Sequence, residues 1–321
     1  MKSGYLNTDW REGERRETMS EISVESMPMI SAVLVSWNRL DYLQKAVQSL
    51  RAQNYPNLEI VIVDNGSSDG SAEWLGEQKD IVSIQNPRNR GASAARNQGT
   101  RIAQGEYVLY MDSDAELVTP GALARMAQEL ERQPLTAGAA GLIYADAELQ
   151  TLWCCSPCMN WEGYHDPAAS LQVVEEAEIL STCFSLFRHS ALREAGGFDE
   201  FFFYLYEDGD LCERIRKRGY RLRIFPDIAI VHHYAEPGRT RRGQIAFHYY
   251  HERLRMYYIL KNWGLRRFLQ SWATKVSHTL DFKKNFPYLP IICYIDIYAW
   301  RASLMLLAYP IIRARRRKQW I

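Results

Sequence analysis

Apolar runs and amphipathic segments alternate along the first half of the chain. The runs at 29–35 and 59–63 are rich in β-branched residues, which is typical of strands buried on both faces of a sheet. Between them, from Asp41 to Leu50, apolar residues recur at helical spacing. Further strands are expected near 81–84, 106–111 and 139–143, and further helices near 72–78, 92–103 and 121–132. This alternation predicts an α/β fold with a mostly parallel central sheet flanked by helices.

The two ends of the chain depart from this pattern. Residues 1–27 lack periodicity and are rich in Glu, Arg and Ser, which predicts a flexible leader before a domain over 28–242. A helical, aromatic-rich segment is expected over 243–321. Its apolar stretch at 286–312 leads into a basic run at 313–318, which favours an amphipathic helix on an anionic membrane surface. A core helix, a homodimer helix and a membrane span are the alternatives.

Charge and cysteine usage narrow the class of protein. The chain has 321 residues, with 39 Lys and Arg against 38 Asp and Glu, a near balance that argues against a nucleic-acid partner. No apolar signal segment precedes residue 28, so we expect a cytoplasmic protein whose six cysteines are reduced.

Polar residues follow the predicted strands where each strand ends. Ser36 and Asn38 follow the first strand, Asp64 the second, and Asp112 and Asp114 a later one. The carboxyl ends of parallel strands share one edge of a sheet, so we expect these side chains to line one crevice. Neither of the common glycine-rich phosphate loops is present, and a nucleotide has to be held by other means.

Paired carboxylates offer such a means. Asp112 and Asp114 can supply hard oxygen ligands to Mg²⁺ or Mn²⁺, and such an ion neutralises a diphosphate as a bond to it breaks. A solvated turn is the alternative explanation of this pair when it is taken alone.

A second acidic pair, Glu207 and Asp208, follows the aromatic run at 201–206 and begins a predicted helix. A carboxylate among aromatic residues is a candidate general base, because partial desolvation raises its proton affinity. Acids that complement a helix dipole are the alternative explanation.

Together these segments resemble the family 2 nucleotide-sugar glycosyltransferases of the GT-A fold, and within them the rhamnosyltransferase-like branch. The matching segments are VLVSWNR at 33–39, IVIVDNGSSDGS at 60–71, NRGASAARNQG at 89–99, YVLYMDSDAEL at 107–117, GGFDEFFFYLYEDGDLCERIRKRGYRL at 196–222 and the His232-His233 pair. The resemblance implies that 28–242 is a GT-A catalytic domain.

The resemblance also implies roles for individual residues. The expected contacts to the nucleotide sugar are Ser36, Asn38, Asp64, Arg96, Asn97 and Asp112. Of these, Asp64 would contact the nucleobase, and Arg96 and Asn97 would lie near the base and the diphosphate.

For the chemistry, the resemblance implies a metal held by Asp112, Asp114 and His232, with Asp114 as the more direct ligand. The spacing does not decide between His232 and His233, and a surface imidazole is the alternative for either. Asp208 would be the catalytic base, with Glu207 beside it.

The activity implied is that of an inverting, metal-dependent hexosyltransferase of polysaccharide or cell-envelope biosynthesis. It would move a sugar, with rhamnose the first expectation, from a dTDP- or UDP-sugar to a hydroxyl of a glycan or lipid-linked saccharide. Its expected place is the inner face of the cell membrane, as a peripheral protein. A nucleotidyltransferase acting on sugar phosphates is the alternative enzyme, although it would normally carry a glycine-rich loop.

Overall fold

A mixed β-sheet forms the centre of the fold. The computed structural model describes residues 27–160, 162–233 and 241–285, together with 308, 310 and 311, and it leaves out the side chains of 241–249 and 275–285. Most of the predicted leader and of the apolar stretch at 286–312 therefore lies outside the described residues. The strands are β1 Ile30–Ser36, β2 Leu58–Asp64, β3 Ile81–Gln85, β4 Tyr107–Asp112, β5 Ala115–Leu117, β6 Thr136–Tyr144, β7 Leu152–Cys154, β8 Phe184–Arg188 and β9 Arg221–His232.

Helices connect and cover these strands. They are α1 Leu40–Arg51, α2 Ser71–Glu77, α3 Ala92–Ile102, α4 Ala122–Arg132, α5 Pro167–Ser170, α6 His189–Ala195, α7 Glu207–Arg216, α8 Arg241–Asn262 and α9 Gly264–Asn285. Alternate residues of β1 enter two different apolar clusters, Ile30 and Ala32 one of them and Val33 the other. The sheet is therefore buried on both faces, as the β-branched runs predicted.

The strand order is β3-β2-β1-β4-β8-β6-β9-β5, with β7 paired to β6. The first four strands of this order are parallel to one another, which agrees with the prediction from the sequence. The other half differs, because β8 runs antiparallel to both β4 and β6. The α/β class is confirmed. The sheet is mixed and not mostly parallel, and the sequence could not predict this because local patterns do not specify which strands become neighbours.

Strand register gathers the predicted polar residues at one edge. Ser36 pairs with Asp64 across β1 and β2, and Val35 pairs with Asp112 across β1 and β4. Helix α3 packs close to the same strands because Gly99 has no side chain. A Cβ atom there would lie 2.4 Å from Val33 Cγ1. This close approach sets the position of Arg96, one turn earlier on α3.

A buried charge cluster fastens α8 to α7. Asp210 is fully buried and accepts hydrogen bonds from Lys261 at 2.8 Å, Asn262 at 2.9 Å and Arg214 at 2.8 Å. Lys261 also donates to Asp199 at 2.9 Å. Although burial opposes ionisation, the charges of Arg214 and Lys261 lower the pKa of Asp210 to about 2. Asp210 is therefore ionised at neutral pH, and the cluster joins α8 to the C-terminal side of the domain.

Helices α8 and α9 are the longest in the described part of the chain. None of the described helices carries an apolar stretch long enough to cross a bilayer. The boundary predicted at 242/243 falls inside α8. The charge cluster joins residues on both sides of it, since Asp210 precedes the boundary and Lys261 follows it.

Replacing Lys261 by Met should destabilise the protein by about 3–5 kcal/mol, because the buried Asp210 and the half-buried Asp199 lose their shared cation. Urea unfolding followed by circular dichroism measures this change. The matched variant Lys79→Met alters an exposed lysine and should shift the free energy of unfolding by less than about 0.5 kcal/mol. Equal effects of the two substitutions would contradict a structural role for the cluster.

Candidate active site

Two aspartates and a histidine meet where β4, β5 and β9 approach one another. Asp112 ends β4, and Asp114 precedes β5. The antiparallel pairing of β5 with β9 sets Ala115 opposite His232. As a result His232 Nε2 lies 3.3 Å from Asp114 Oδ1, and Arg39 donates to the other carboxylate oxygen of Asp114. The residues predicted to hold a metal therefore share one corner of the crevice, called here the acidic corner.

The acidic corner has donor atoms that suit a divalent cation. Ligand atoms of Asp112, Cys183 and His232 all lie within 4.8 Å of one another. Burial, reinforced by the two aspartates, holds the pKa of the Cys183 thiol well above its usual range. A neutral thiol does not bind a hard cation, whereas carboxylate oxygens and imidazole suit Mg²⁺ or Mn²⁺. Of this group, Asp112 and His232 therefore offer ligand atoms that suit such an ion, and the Asp114 carboxylate lies 3.3 Å from His232 Nε2.

The structure separates the two adjacent histidines. His232 is 6% exposed and faces Asp114. The ring of His233 packs against Tyr42, and its Nε2 atom lies 2.6 Å from Glu116. The pairing of β9 with β5 turns His232 towards Asp114 and His233 towards Glu116. The sequence spacing alone did not show which histidine faces which carboxylate.

Arg96 links the acidic corner to the candidate base. Its buried guanidinium donates to Asp112 Oδ1 at 2.8 Å and to Glu207 Oε1 at 2.9 Å. These two carboxylates offset the desolvation of the guanidinium and keep it charged. Asn97, expected near the diphosphate, instead exchanges hydrogen bonds with the main chain of Phe198 at 2.9 Å. Arg96 thus lies in the crevice, and Asn97 anchors the segment that leads to α7.

The chain enters α7 through two residues in the left-handed region. Leu205 has a φ of 69° and Tyr206 a φ of 67°. In non-glycine residues this conformation costs on the order of 1 kcal/mol each and persists where the surroundings impose it. Tyr206 is buried, and its hydroxyl lies 3.1 Å from His251 Nε2 on α8. Helix α8 therefore helps to hold the turn that presents Glu207 and Asp208.

Glu207 and Asp208 occupy different environments although they are adjacent. Glu207 is 7% exposed, and burial together with the nearby Asp208 raises its pKa to about 7 in spite of Arg96. Asp208 is half-buried and accepts a hydrogen bond from the Gly209 N–H at 2.7 Å. Burial raises the pKa of Asp208 as well. Its carboxylate combines increased proton affinity with access to solvent, which are the properties of a general base.

The predicted nucleotide contacts lie at the ends of β1 and β2. Among the described residues, Ser36 Oγ and Asp64 Oδ1 are buried and have no hydrogen-bond partner. Buried polar atoms are rarely left unsatisfied, so both are suited to contact a ligand. Asn38 is placed differently: its Oδ1 accepts from the Ser68 N–H at 2.7 Å. It braces the loop after β2 beside the two unsatisfied atoms.

Two residues of this region were missed by the sequence reasoning. Arg39 pairs with Asp114. Asn65 joins the end of β2 to the segment 86–90, because it donates to Asn89 Oδ1 and its own Oδ1 accepts from the Asn86 side chain and the Arg90 N–H. Each directly follows a residue that the sequence did single out. That adjacency was the available signal, because strand ends place consecutive residues around the same crevice.

Comparison with known proteins identifies one family. The model described as Glycosyl transferase family 2 matches residues 31–196, slightly more than half of the 321-residue chain. The match covers β1 to α6 and stops before α7.

Two curated relatives illustrate the range of similar proteins. Over 95 residues the chain is 36% identical to the UDP-Glc:alpha-D-GlcNAc-diphosphoundecaprenol beta-1,3-glucosyltransferase WfaP of Escherichia coli, covering 29% of this chain and 38% of that protein. Over 220 residues it is 31% identical to the pre-mycofactocin glycosyltransferase of Mycobacterium tuberculosis, covering 64% of this chain and 42% of the relative. The chain spans about two fifths of the length of these relatives.

A solved structure shares the architecture. The mannosyltransferase PcManGT of Pyrobaculum calidifontis, in complex with GDP-Man and Mn²⁺, superposes with a TM-score of 0.53 at 18% identity. The superposition covers 92% of this chain and 89% of that one. At this identity the likeness concerns the fold, and it confirms the expected GT-A architecture.

The raised pKa of Glu207 predicts a pH-dependent stability. Between its ordinary value of 4.5 and about 7, the folded protein keeps a proton on Glu207 that the unfolded chain has released. The contribution of Glu207 to the free energy of unfolding should therefore fall as pH rises through this window. In Glu207→Gln this contribution is absent, so its stability relative to wild type should increase by about 2 kcal/mol between pH 5 and pH 8. Urea unfolding of both proteins at these pH values tests this, and parallel pH curves would contradict it.

Proposed function

Because this chain belongs to glycosyltransferase family 2, we propose that it transfers a sugar from a nucleotide-sugar donor to a saccharide hydroxyl with inversion at the anomeric carbon. One observation carries this proposal. Arg96 bonds both Asp112 of the acidic corner and Glu207, the neighbour of the candidate base. A candidate ligand of the metal that would bind the diphosphate, and the residue next to the candidate base, thus lie on either side of one buried cation.

The reaction follows from this arrangement. The Asp208 carboxylate accepts the proton of the acceptor hydroxyl as that oxygen attacks the anomeric carbon from the face opposite the diphosphate. A carbon–oxygen bond forms to the acceptor, and the electron pair of the broken bond leaves with the nucleoside diphosphate. One displacement with one base inverts the anomeric carbon and needs no covalent enzyme intermediate.

In this proposal Asp112, Asp114 and His232 hold the divalent metal, Mg²⁺ or Mn²⁺. When bound, the ion supplies positive charge that stabilises the diphosphate leaving group. Arg96 donates a hydrogen bond to Asp112 and orients its carboxylate, and Arg39 does the same for Asp114. The unsatisfied atoms of Ser36 and Asp64 support a nucleoside contact at the ends of β1 and β2.

The donor and the acceptor are proposed from the resemblance in the sequence and from the ligands and acceptors named for similar proteins. A dTDP- or UDP-sugar, with rhamnose first, follows from the resemblance in the sequence, and the structural neighbour adds GDP-mannose as a donor to test. The printed name of one relative includes a diphosphoundecaprenol-linked acceptor, which supports a lipid-linked saccharide here. Attachment of 286–312 to the inner membrane surface, or its use in a homodimer, stays a prediction because most of that segment is outside the described residues.

The proposed function is tested by incubating the full chain with a panel of dTDP-, UDP- and GDP-sugars and Mn²⁺. Simple glycosides and polyprenyl-diphosphate saccharides serve as acceptors. Release of nucleoside diphosphate together with a glycoside of inverted configuration, determined by NMR, is the expected result. Pyrophosphate release from a nucleoside triphosphate and a sugar phosphate would instead indicate the nucleotidyltransferase, and no turnover with any donor would refute both.

Asp208→Asn should abolish turnover while donor affinity stays near that of wild type. An amide cannot accept the acceptor's proton, so kcat should fall on the order of 10²-fold or more. Steady-state kinetics and calorimetric titration with the donor measure the two effects. Asp80→Asn makes the same change at an exposed position and should behave as wild type. If Asp208→Asn turns over within a few-fold of wild type, the base lies elsewhere.

Asp114→Ala should weaken nucleotide binding only when metal is present. We expect the gain in nucleoside-diphosphate affinity on adding Mn²⁺ to shrink at least on the order of 10-fold, since even supporting groups have effects of that size at metal sites. Calorimetry with and without Mn²⁺ measures this gain. Glu116→Ala is the matched control, because Glu116 pairs with His233 and not with His232. An unchanged gain in Asp114→Ala would move the metal site away from the acidic corner.

A further inference from the structure

An exposed tryptophan lies beside the acidic corner. Trp153 is 40% exposed in the short strand β7, and its ring centroid is 4.9 Å from that of His232, at an interplanar angle of 61°. Exposing an indole costs hydrophobic free energy, and Trp is among the residues most enriched at binding surfaces. None of the roles assigned above uses this side chain.

The segment that carries Trp153 also lies close to the candidate base. The next residue, Cys154, is buried, and the Asp208 carboxylate adds to the effect of burial in raising its thiol pKa to about 12. Trp153 therefore lies beside the candidate metal ligand His232, on a strand whose next residue is within electrostatic reach of the candidate base. The atoms that react have to lie between those two groups.

The backbone around Trp153 is held firmly. Strand β7 pairs with β6, where Cys154 lies opposite Ile143. In the turn between these strands, the Asp146 carboxylate accepts hydrogen bonds from the N–H groups of Gln150 at 3.0 Å and Thr151 at 2.7 Å. The hairpin positions the backbone of Trp153, and the contact of its ring with His232 limits the orientation of the indole, which lowers the entropy lost when a ligand stacks on it.

The exposure of Trp153 distinguishes between the two sugars of the reaction. The donor sugar has to lie deep in the crevice, near Arg96 and Glu207, which are 5% and 7% exposed. An acceptor saccharide enters from solvent and extends back into it, so it meets the residues at the rim. A flat indole face matches the apolar C–H face of a pyranose ring, while the sugar hydroxyls remain available to Asp208 and to water.

We propose that Trp153 is the stacking platform for the acceptor saccharide and sets acceptor specificity in the transfer reaction. This inference rests on the proposed glycosyl transfer. It assigns to Trp153 the binding of a pyranose ring next to the hydroxyl that Asp208 deprotonates. No contact of Trp153 with the donor sugar is required.

The test compares Trp153→Ala and Trp153→Phe with wild type, using the donor and acceptor that give turnover in the panel described above. In Trp153→Ala the acceptor KM should rise on the order of 10-fold, the worth of one aromatic stacking contact. Trp153→Phe retains an aromatic face and should recover most of this loss. Donor affinity by calorimetry and the slow hydrolysis of donor without acceptor should both stay within about 2-fold of wild type.

These readouts separate binding of the acceptor from a general loss of structure. Leu135→Ala, which changes a side chain that is 65% exposed just before β6 and away from β7, should leave the acceptor KM, the donor affinity and the donor hydrolysis unchanged. A lower donor affinity in Trp153→Ala would assign the ring to the donor sugar and overturn the inference. So would an unchanged acceptor KM, or equal loss of transfer and of hydrolysis. If wild type turns over no nucleotide sugar at all, the proposed function itself fails and the inference fails with it.

Discussion

The arrangement of this crevice depends on one buried guanidinium. Arg96 bonds Asp112 at 2.8 Å and Glu207 at 2.9 Å, and these carboxylates belong to segments far apart in the sequence. Without it, three acidic side chains, with Asp208 the third, would face one another in a region of low dielectric. Such a cluster would protonate or separate. The close packing of α3 at Gly99 brings the cation to this position, so a missing side chain one turn further along the helix determines where this charge lies.

A similar logic explains how the second carboxylate pair is presented. The two left-handed residues before Glu207 are unfavourable by themselves. They persist because Tyr206 is enclosed by α8 and because the Ala92 N–H at the start of α3 donates to the Phe203 carbonyl at 2.7 Å. The candidate base is therefore positioned by two helices that do not contain it. Local sequence around Asp208 would favour other conformations of this turn.

Much of the fold and part of the site could be predicted from the sequence. Features set by neighbouring residues were predictable, whereas those set by contacts between distant segments were not. Buried strands and their polar ends are local features, and they located Asp64, Asp112 and Asp114 correctly along the edge of the sheet. Contacts between distant segments leave no local pattern. The sequence around Arg96 does not indicate that Glu207 is its partner. Which of His232 and His233 faces Asp114 depends on the register between β5 and β9. Lys261 had the pattern of an ordinary surface lysine on a helix, and only its burial against Asp199 and Asp210 shows otherwise.

The charge cluster around Lys261 also bears on how this chain can diverge. The stretch shared with the family model ends at residue 196, whereas Asp199, Asp210 and Lys261 all lie beyond it. The end of the sequence similarity is thus not the end of the cooperatively stabilised domain, because residues beyond position 196 contribute to its stability. A natural recombinant or a designed chimera can join this sheet to other C-terminal helices. Those helices then have to supply a cationic side chain at the position of Lys261, or both Asp199 and Asp210 have to be replaced. Substitutions at these three positions should accordingly appear in descendants as correlated changes, and α8 should be inherited with α7 as one unit.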